Sequence, residues 1–467
     1  MHASTAIKYI LQSVFCRLLS VVYFPYICLK LHRMQVAELY QLYLTYPKVC
    51  TDTRQISPDC LFFALKGDSF NGNSFAEQAL AAGAKYVVID DKNYCQDNPA
   101  YILVDDVLTS LQALAKYHRL QLNIPFIGIT GTNGKTTSKE LVNAVLSQRY
   151  KTFATKGNLN NHIGVPLTIL SLPKDLEIAI IEMGANHLGE IAFLSDIARP
   201  THGFITNVGK AHLEGFGSFE GVMKTKGELY DFLKANHGQL FIQGDNEYLT
   251  SMAADRGIDN AITYGFSGNN SVQGGLVIAD PLLTIFWKLA EEKGQQEVAT
   301  HLTGAYNIEN MLAAVAIGHH FELSALEINA GLNGYVPQNN RSQINKTEKN
   351  TVIADYYNAN ASSMAAAIAN LQVIQAEKKV AILGDMFEMG DQSEEEHKKV
   401  IEQAKKLNLN GLIFVGKAFY ALRDEEAQYF ESTEDLKTAL KEKPLKGNLI
   451  LLKASRGMAF ERLMELL

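Results

Sequence analysis

The sequence predicts an α/β protein with two doubly wound, mainly parallel sheets behind a smaller α/β block. Two observations carry this. Short apolar runs alternate with segments whose apolar residues recur at helical spacing, the mark of strands joined by helical crossovers. The pattern also starts over, running through residues 124–336 and beginning again at 337.

In the first block, 34–123, residues 36–43 read as a helix, 60–65 and 86–89 as strands, and 75–82 and 108–122 as helices, the last ending before Pro125. The second block opens with a strand at 125–129, a glycine-rich turn and a helix at 138–146. Its next strands are 177–181, ending in Glu182, and 203–206. The third block, 337–467, carries strand patterns at 351–354, 380–383, 412–415 and 449–452. Helical patterns at 363–374, 394–407 and 434–441 separate them, with no glycine fingerprint. One phosphate loop and two α/β domains predict a site at the cleft between the domains.

Residues 1–33 differ from the rest. The stretch 10–31 is apolar but broken by Arg17 and Pro25, so it lacks the ~18–20 uncharged residues of a membrane span. It is expected to be an upstream extension or a tail without a catalytic role, and no stable membrane insertion is expected. Across the 467 residues, 47% are hydrophobic and 20% charged, and the formal net charge is −7. That balance gives no electrostatic footprint for nucleic acid. Five cysteines, all before residue 100 and without Cys-x-x-Cys spacing, exclude a zinc ribbon and suit a reducing, cytoplasmic compartment. A monomer is expected.

Residues 128–137 read Gly-Ile-Thr-Gly-Thr-Asn-Gly-Lys-Thr-Thr. A strand, a glycine turn and a helix opening on Gly-Lys-Thr form a phosphate cradle. Backbone N–H groups and the helix dipole hold phosphate oxygens, Lys135 adds a positive charge, and the Thr136 hydroxyl can ligate Mg²⁺. The usual spacing would place a glycine at 129, where this chain has Ile129, so the loop is a shortened variant anchored on Gly131. Gly131, Thr132, Asn133, Gly134, Lys135, Thr136 and Thr137 are therefore expected to bind a nucleoside triphosphate. Lys135 is expected to be exposed in the loop, serving charge and not packing.

Glu182 ends an apolar strand one crossover later, where open parallel sheets place ligands, and its carboxylate can hold Mg²⁺. His212 follows the next strand and could lie near the same site. In residues 218–234 the apolar positions Phe219, Val222, Met223, Leu229, Tyr230 and Leu233 form a helical stripe. Lys226 falls on that stripe and Lys224 off it. A stripe lysine either snorkels to the edge or has its charge altered beside a metal.

Six segments together resemble the Mur ligases: 131–137, Gly-Asn-Leu-Asn-Asn-His-Ile-Gly-Val-Pro at 157–166, Glu-Met-Gly-Ala-Asn-His at 182–187, Ala-His-Leu-Glu-Gly-Phe-Gly-Ser at 211–218, Tyr-Asn-Ala-Asn at 357–360 and Gly-Asp-Met-Phe-Glu-Met-Gly at 384–390. The likeness covers 34–467, in order. It implies an N-terminal uridine-binding α/β domain, a central P-loop ATPase with a parallel sheet, and a C-terminal Rossmann-like domain. It further implies ATP and Mg²⁺, with Mg²⁺ held by Thr136, Glu182, His212 and a carbamylated Lys226, and Lys135, Lys226 and His212 in catalysis. Asn310, Arg341 and Asp355 match nucleotide contacts. Thr53, Arg54, Phe70, Asn71 and Gly72 match the uridine domain's motifs, and Asn158, Asn160, Asn161, Tyr357, Asn358, Asn360, Lys453 and Arg456 match substrate positions. Two departures stand out. Gln338-Asn339-Asn340 replaces the family's Pro-Gly before Arg341, and Ala361 stands where proline is common.

The resemblance implies an amide ligase that forms an acyl phosphate and adds D-alanyl-D-alanine to a UDP-N-acetylmuramoyl-tripeptide with lysine or diaminopimelate as third residue. A folylpolyglutamate synthase-like ligase is the nearest alternative, and the motifs at 51–75 count against it. A P-loop switch is the alternative from another class. It leaves the third block and the Asn-rich loop at 157–161 without a role.

Overall fold

The structure, a computed structural model, describes residues 34–209 and 213–467. The readings of residues 1–33 and of His212 lie outside the described residues. Two compact units divide the chain at Leu114/Ala115.

In the first unit, Val49–Cys50, Leu61–Phe63, Tyr86–Ile89 and Tyr101–Leu103 pair in that order as a parallel sheet. The strand expected over 60–65 narrows to three fully buried residues, because Lys66–Gly67 turns back to pair with Phe70–Asn71 in a small hairpin. Gly72 closes that turn against the chain: a Cβ there would stand 2.2 Å from the Leu65 carbonyl oxygen. Helices at Val36–Thr45 and Ala76–Ala81 match the helical patterns.

The second unit holds two sheets. The elements that position the site are β1 (Phe126–Thr130), α1 (Lys135–Leu146), β2 (Ile178–Glu182), β3 (His202–Ile205), α2 (Phe219–Ala235), β4 (Thr351–Asp355), α3 (Ala361–Val373), β5 (Lys379–Gly384) and β6 (Leu449–Lys453). The nine-stranded sheet runs Gln296–Ala299, Leu283–Leu289, Val272–Ala279, Ile262–Gly265, Gln239–Gln243, β3, β1, β2, Thr152–Ala154. All neighbours pair parallel except the two ladders at the Gln296–Ala299 edge, which are antiparallel. Leu141, Val142 and Val145 of α1 pack with Met311 and Leu312 on Ile127, Ile129, Phe204 and Phe241 in one core. The antiparallel edge was not expected, although Leu283, Ile285 and Trp287 alternate with more exposed neighbours as a half-buried strand should.

The six-stranded sheet runs Gln343–Lys346, β4, β6, β5, Gly411–Val415, Gln428–Phe430. All its pairs are parallel except the first. The last strand, β6, inserts between β4 and β5. Asp355 therefore pairs with Lys453 in register, with Leu383 on the other side of Lys453. Strand order reverses here, and open α/β sheets bind ligands at such points. No helix among the described residues is long and apolar enough to cross a membrane.

Candidate active site

The phosphate loop follows β1 and needs glycine at both ends. Gly131 has φ +142° and Gly134 φ +79°, and a Cβ on Gly131 would lie 2.0 Å from the Thr206 hydroxyl. The residues just after β3 hold the loop in place. Thr132 N–H donates to the Asn207 carbonyl (2.9 Å) and Asn133 N–H to Asn207 Oδ1 (3.0 Å), while Thr206 Oγ1 donates to the Asn133 carbonyl (2.6 Å). Sequence reasoning missed Thr206 and Asn207. Their place at the carboxyl end of an expected strand, beside the loop, was the available signal.

Lys135 departs from its expected exposure. It is the first residue of α1, half-buried, and its Nζ donates to the Gly131 and Thr132 carbonyls at 2.7 and 3.0 Å. Burial pushes its pKa down to about 8; Glu182 opposes the shift and the Arg341 charge adds to it. Thr136 Oγ1 donates to Glu182 Oε2 (2.9 Å), and Asn160 Nδ2 donates to Glu182 Oε1 (2.8 Å). Glu182 is only 2% exposed. This hydroxyl and carboxylate offer the hard oxygens that Mg²⁺ prefers. Among the described residues no group of three or more His, Cys, Asp or Glu side chains is placed to hold a metal. Thr137 is buried behind the loop.

Asn161 Oδ1 accepts from Ile163 and Gly164 N–H, opening the next helix, and Asn158 and Asn160 line the same cleft as Lys135. Asn310 is buried against Gly134. It accepts from Ser138 Oγ (2.9 Å) and donates to Asn307 Oδ1 (3.0 Å).

From the other sheet, Asp355 Oδ2 meets Lys453 Nζ at 2.8 Å, and Nζ also donates to the Asn358 carbonyl. Lys453 is 2% exposed. The Tyr357 ring lies 3.8 Å from the Arg341 guanidinium carbon and 5.0 Å from that of Arg456. Arg341 Nε is buried without a partner among the described residues. Asn340, just before Arg341, has φ +56°, a conformation that asparagine tolerates better than most residues. Asn360 caps α3 through Ser363 N–H and donates to Asn133 Oδ1 (2.9 Å), while Asn133 Nδ2 donates to Ser362 Oγ (2.8 Å). Lys135, Thr136, Glu182, Arg341, Asp355, Tyr357 and Lys453 thereby share one cleft of about 720 Å³.

Lys226 sits where the stripe puts it, 2% exposed on α2, while Lys224 is exposed. Its Nζ donates to the Ala185 carbonyl (3.5 Å) and lies 5.2 Å from the Phe216 ring. Burial, reinforced by the Lys135 charge, lowers its pKa to about 7. Lys226 does not itself line the cleft, although Ala185 does.

The remaining expected residues belong to the first unit. Thr53 and Arg54 share one turn, with Arg54 paired to Asp52 at 2.8 Å. Phe70 is 54% exposed on the hairpin, where Asn71 Oδ1 accepts from Asn73 N–H (3.0 Å) and Gly72 follows.

Three family models match along the chain: "Mur ligase family, catalytic domain" at residues 45–119, "Mur ligase middle domain" at 129–318, and "Mur ligase, glutamate ligase domain" at 340–456. The UDP-N-acetylmuramoyl-tripeptide–D-alanyl-D-alanine ligase of Bacillus subtilis is 37% identical over 89% of this chain and 92% of its own. The Escherichia coli ligase of the same name is 36% identical over 92% and 95%. The crystal structure of MurF ligase from Thermotoga maritima in complex with ADP superposes with a TM-score of 0.80 at 25% identity, covering 91% of this chain and 97% of that one. With its phosphate cradle opposite a second sheet's charged edge, and with this identity along nine-tenths of its length, the chain belongs to the Mur ligase family of ATP-dependent amide ligases.

Proposed function

We propose that the chain adds D-alanyl-D-alanine to UDP-N-acetylmuramoyl-tripeptide through an acyl phosphate. The tripeptide's terminal carboxylate attacks the γ-phosphorus of ATP, giving acyl phosphate and ADP. The dipeptide's amine then attacks the acyl carbon, phosphate departs with the bonding pair, and the amine proton leaves to a phosphate oxygen or solvent. The names of the relatives support the substrates. The observation that carries the reaction is the cleft itself, with Lys135, Thr136 and Glu182 on the central sheet's edge and Asp355 and Lys453 on the other.

Phosphoryl transfer needs positioning and charge neutralisation. The loop residues Gly131 to Thr137 cradle the phosphates, with Asn310 packed beneath them and Arg341 and Asp355 on the facing side. Magnesium, when bound, supplies further neutralisation, and Thr136 and Glu182 would hold it. Lys226 as a carbamate would add an anion near that pair. Thr53, Arg54, Phe70, Asn71 and Gly72 are assigned to the uridine nucleotide, Asn158, Asn160 and Asn161 to the sugar-peptide, and Tyr357, Asn358, Asn360, Lys453 and Arg456 to the dipeptide side.

The test is ADP release by the purified protein with ATP, the UDP-sugar tripeptide and D-alanyl-D-alanine, each omitted in turn. ADP release should require both acceptor and donor, and the product mass should equal tripeptide plus dipeptide less one water. Phosphate release from ATP alone at the full rate would indicate a switch instead.

A further inference from the structure

Two residues one turn apart on α1 both act on Glu182. Thr136 Oγ1 donates to its carboxylate at 2.9 Å. Lys139, three residues on, reaches the chain just after the edge strand Thr152–Ala154. There its Nζ donates to the Thr155 carbonyl (2.5 Å), and it also pairs with Glu140 (2.7 Å). The lysine side chain is 1% exposed. A buried ammonium is costly to desolvate, and a methionine would fill a similar length without that cost. What offsets it is the carbonyl that Lys139 holds.

That carbonyl is out of its place in the sheet. Thr152, Phe153 and Ala154 pair in register with Ile178, Ala179 and Ile180, and Thr155 N–H continues the ladder to the Ile180 carbonyl (3.0 Å). The next rung of a parallel ladder would run from Glu182 N–H to the Thr155 carbonyl. Glu182 N–H donates instead to the Thr155 hydroxyl (2.9 Å), and the carbonyl is left to Lys139. The chain leaves the sheet at this point and returns at Asn160. Asn160 Nδ2 donates to Glu182 Oε1 (2.8 Å), and its carbonyl accepts from Gly184 N–H (2.8 Å). Glu182 is thus held at its backbone by buried Thr155 and at its two carboxylate oxygens by Thr136 and Asn160.

We propose that Lys139 and Thr155 are positioning residues for Glu182. Lys139 draws the Thr155 carbonyl off the ladder, the hydroxyl takes its place beside the last residue of β2, and the carboxylate is fixed against Thr136, where magnesium would be held. The inference rests on the assignment of Thr136 and Glu182 to magnesium. Both residues act through Glu182 and neither meets the substrates. Partners one bond removed from a metal ligand typically set metal affinity by ~10–100-fold.

The experiment titrates Mn²⁺, standing in for Mg²⁺, into the full-length protein with saturating ADP, against a protein-free Mn²⁺–ADP control. Free Mn²⁺ is read by its EPR signal for the wild type, Glu182→Gln, Thr155→Val, Thr155→Ser and Lys139→Met. Unfolding midpoints and the KM for D-alanyl-D-alanine are measured alongside. Thr155→Val keeps the shape and loses the hydroxyl, and should bind Mn²⁺ ~10–100-fold more weakly. Thr155→Ser keeps the hydroxyl and should stay within a few-fold of wild type. Lys139→Met, which frees the carbonyl to return to the ladder, should weaken Mn²⁺ in the same direction as valine. The dipeptide KM should not move in any of the three.

Wild-type Mn²⁺ affinity in Thr155→Val or in folded Lys139→Met overturns the inference, even with a lowered midpoint, because the network then serves the fold alone. Serine as weak as valine overturns it too, since the methyl packing and not the hydroxyl would be at work. If Lys139→Met does not fold, the contrast between valine and serine still decides. Mn²⁺ binding undiminished in Glu182→Gln overturns the magnesium assignment and this inference with it. A wild type that forms no ligated product while the Mn²⁺ pattern holds overturns the ligase reading alone.

Discussion

The central sheet and the C-terminal sheet both end at the same cleft on the carboxyl edges of parallel strands, yet they hold charge there by different means. The central edge is built from backbone. Its loop bends through two left-handed glycines, is tied down by Thr206 and Asn207, and leaves Lys135 bonded only to carbonyls among the described residues. The C-terminal edge is built from side chains, with Lys453 neutralised by Asp355 and the Tyr357 ring set between the contacts of two arginines. A cation resting on neutral carbonyls is available to an incoming phosphate. A cation paired at 2.8 Å holds its own edge together.

The largest expected effect tests that contrast at Lys135. Lys135→Met keeps most of the packing of a half-buried side chain and removes the charge. Turnover should fall ~10²–10³-fold or more, as when a charge-stabilising donor is removed from an active site, while circular dichroism and the unfolding midpoint stay close to wild type. Near-normal turnover would mean that the loop lysine is as structural as Lys453, and the contrast would vanish.

The same difference decides what the sequence could disclose. A backbone-built site imposes residue types on consecutive positions, so Gly131, Gly134, Lys135 and Thr136 are legible in one short stretch. Glu182 and the stripe position of Lys226 follow from strand and helix periodicity. A side-chain-built site draws on residues 341, 355, 357, 453 and 456, which meet only because β6 inserts between β4 and β5. Nothing local announces that insertion, and only the resemblance pointed to those residues. The burial of Lys135 is hidden from the sequence for a related reason: a loop motif does not reveal that the first helical turn bonds to Glu182 and shares its cleft with Arg341. The antiparallel edge at 272–299 was legible in the alternation of 283–287 but was not read.

The second effect sharpens the contrast from within the central domain, where the buried Lys226 has no acid bonded to it among the described residues. With its pKa lowered to about 7, the neutral amine predominates above that pH and can take up CO₂, whereas acid restores the unreactive ammonium. Carbamate content should therefore rise with pH through 7, read as a ¹³C carbonyl signal in protein equilibrated with labelled bicarbonate and missing from Lys226→Ala. Activity should drop in that variant by ~10²-fold, recover in part with a small carboxylic acid, and then lose its acid limb near pH 7. Exposed Lys224→Ala should be nearly silent. Equal losses at the two lysines, or no labelled signal in the wild type, would leave Lys226 as a packed lysine only.

The smallest effect concerns the place where the two edges touch. Asn360 does two things at once: its Oδ1 caps α3 by accepting from Ser363 N–H at 2.9 Å, and its Nδ2 donates to Asn133 in the phosphate loop at 2.9 Å. Substitution can separate these. Serine is an N-cap of similar quality to asparagine, but its short hydroxyl cannot reach Asn133 while it caps. Asn360→Ser should therefore unfold with the wild-type midpoint yet show a KM for ATP raised a few-fold, on the order of one neutral hydrogen bond. Asn360→Ala loses both roles and should also lose about 1 kcal/mol of stability from the missing cap, seen as a lower midpoint in denaturant. If serine leaves the KM for ATP untouched, the Asn133 contact does not couple the two edges, and Asn360 is a helix cap that happens to stand beside the loop. If serine lowers the midpoint as far as alanine does, the bridge and not the cap is what holds the start of α3.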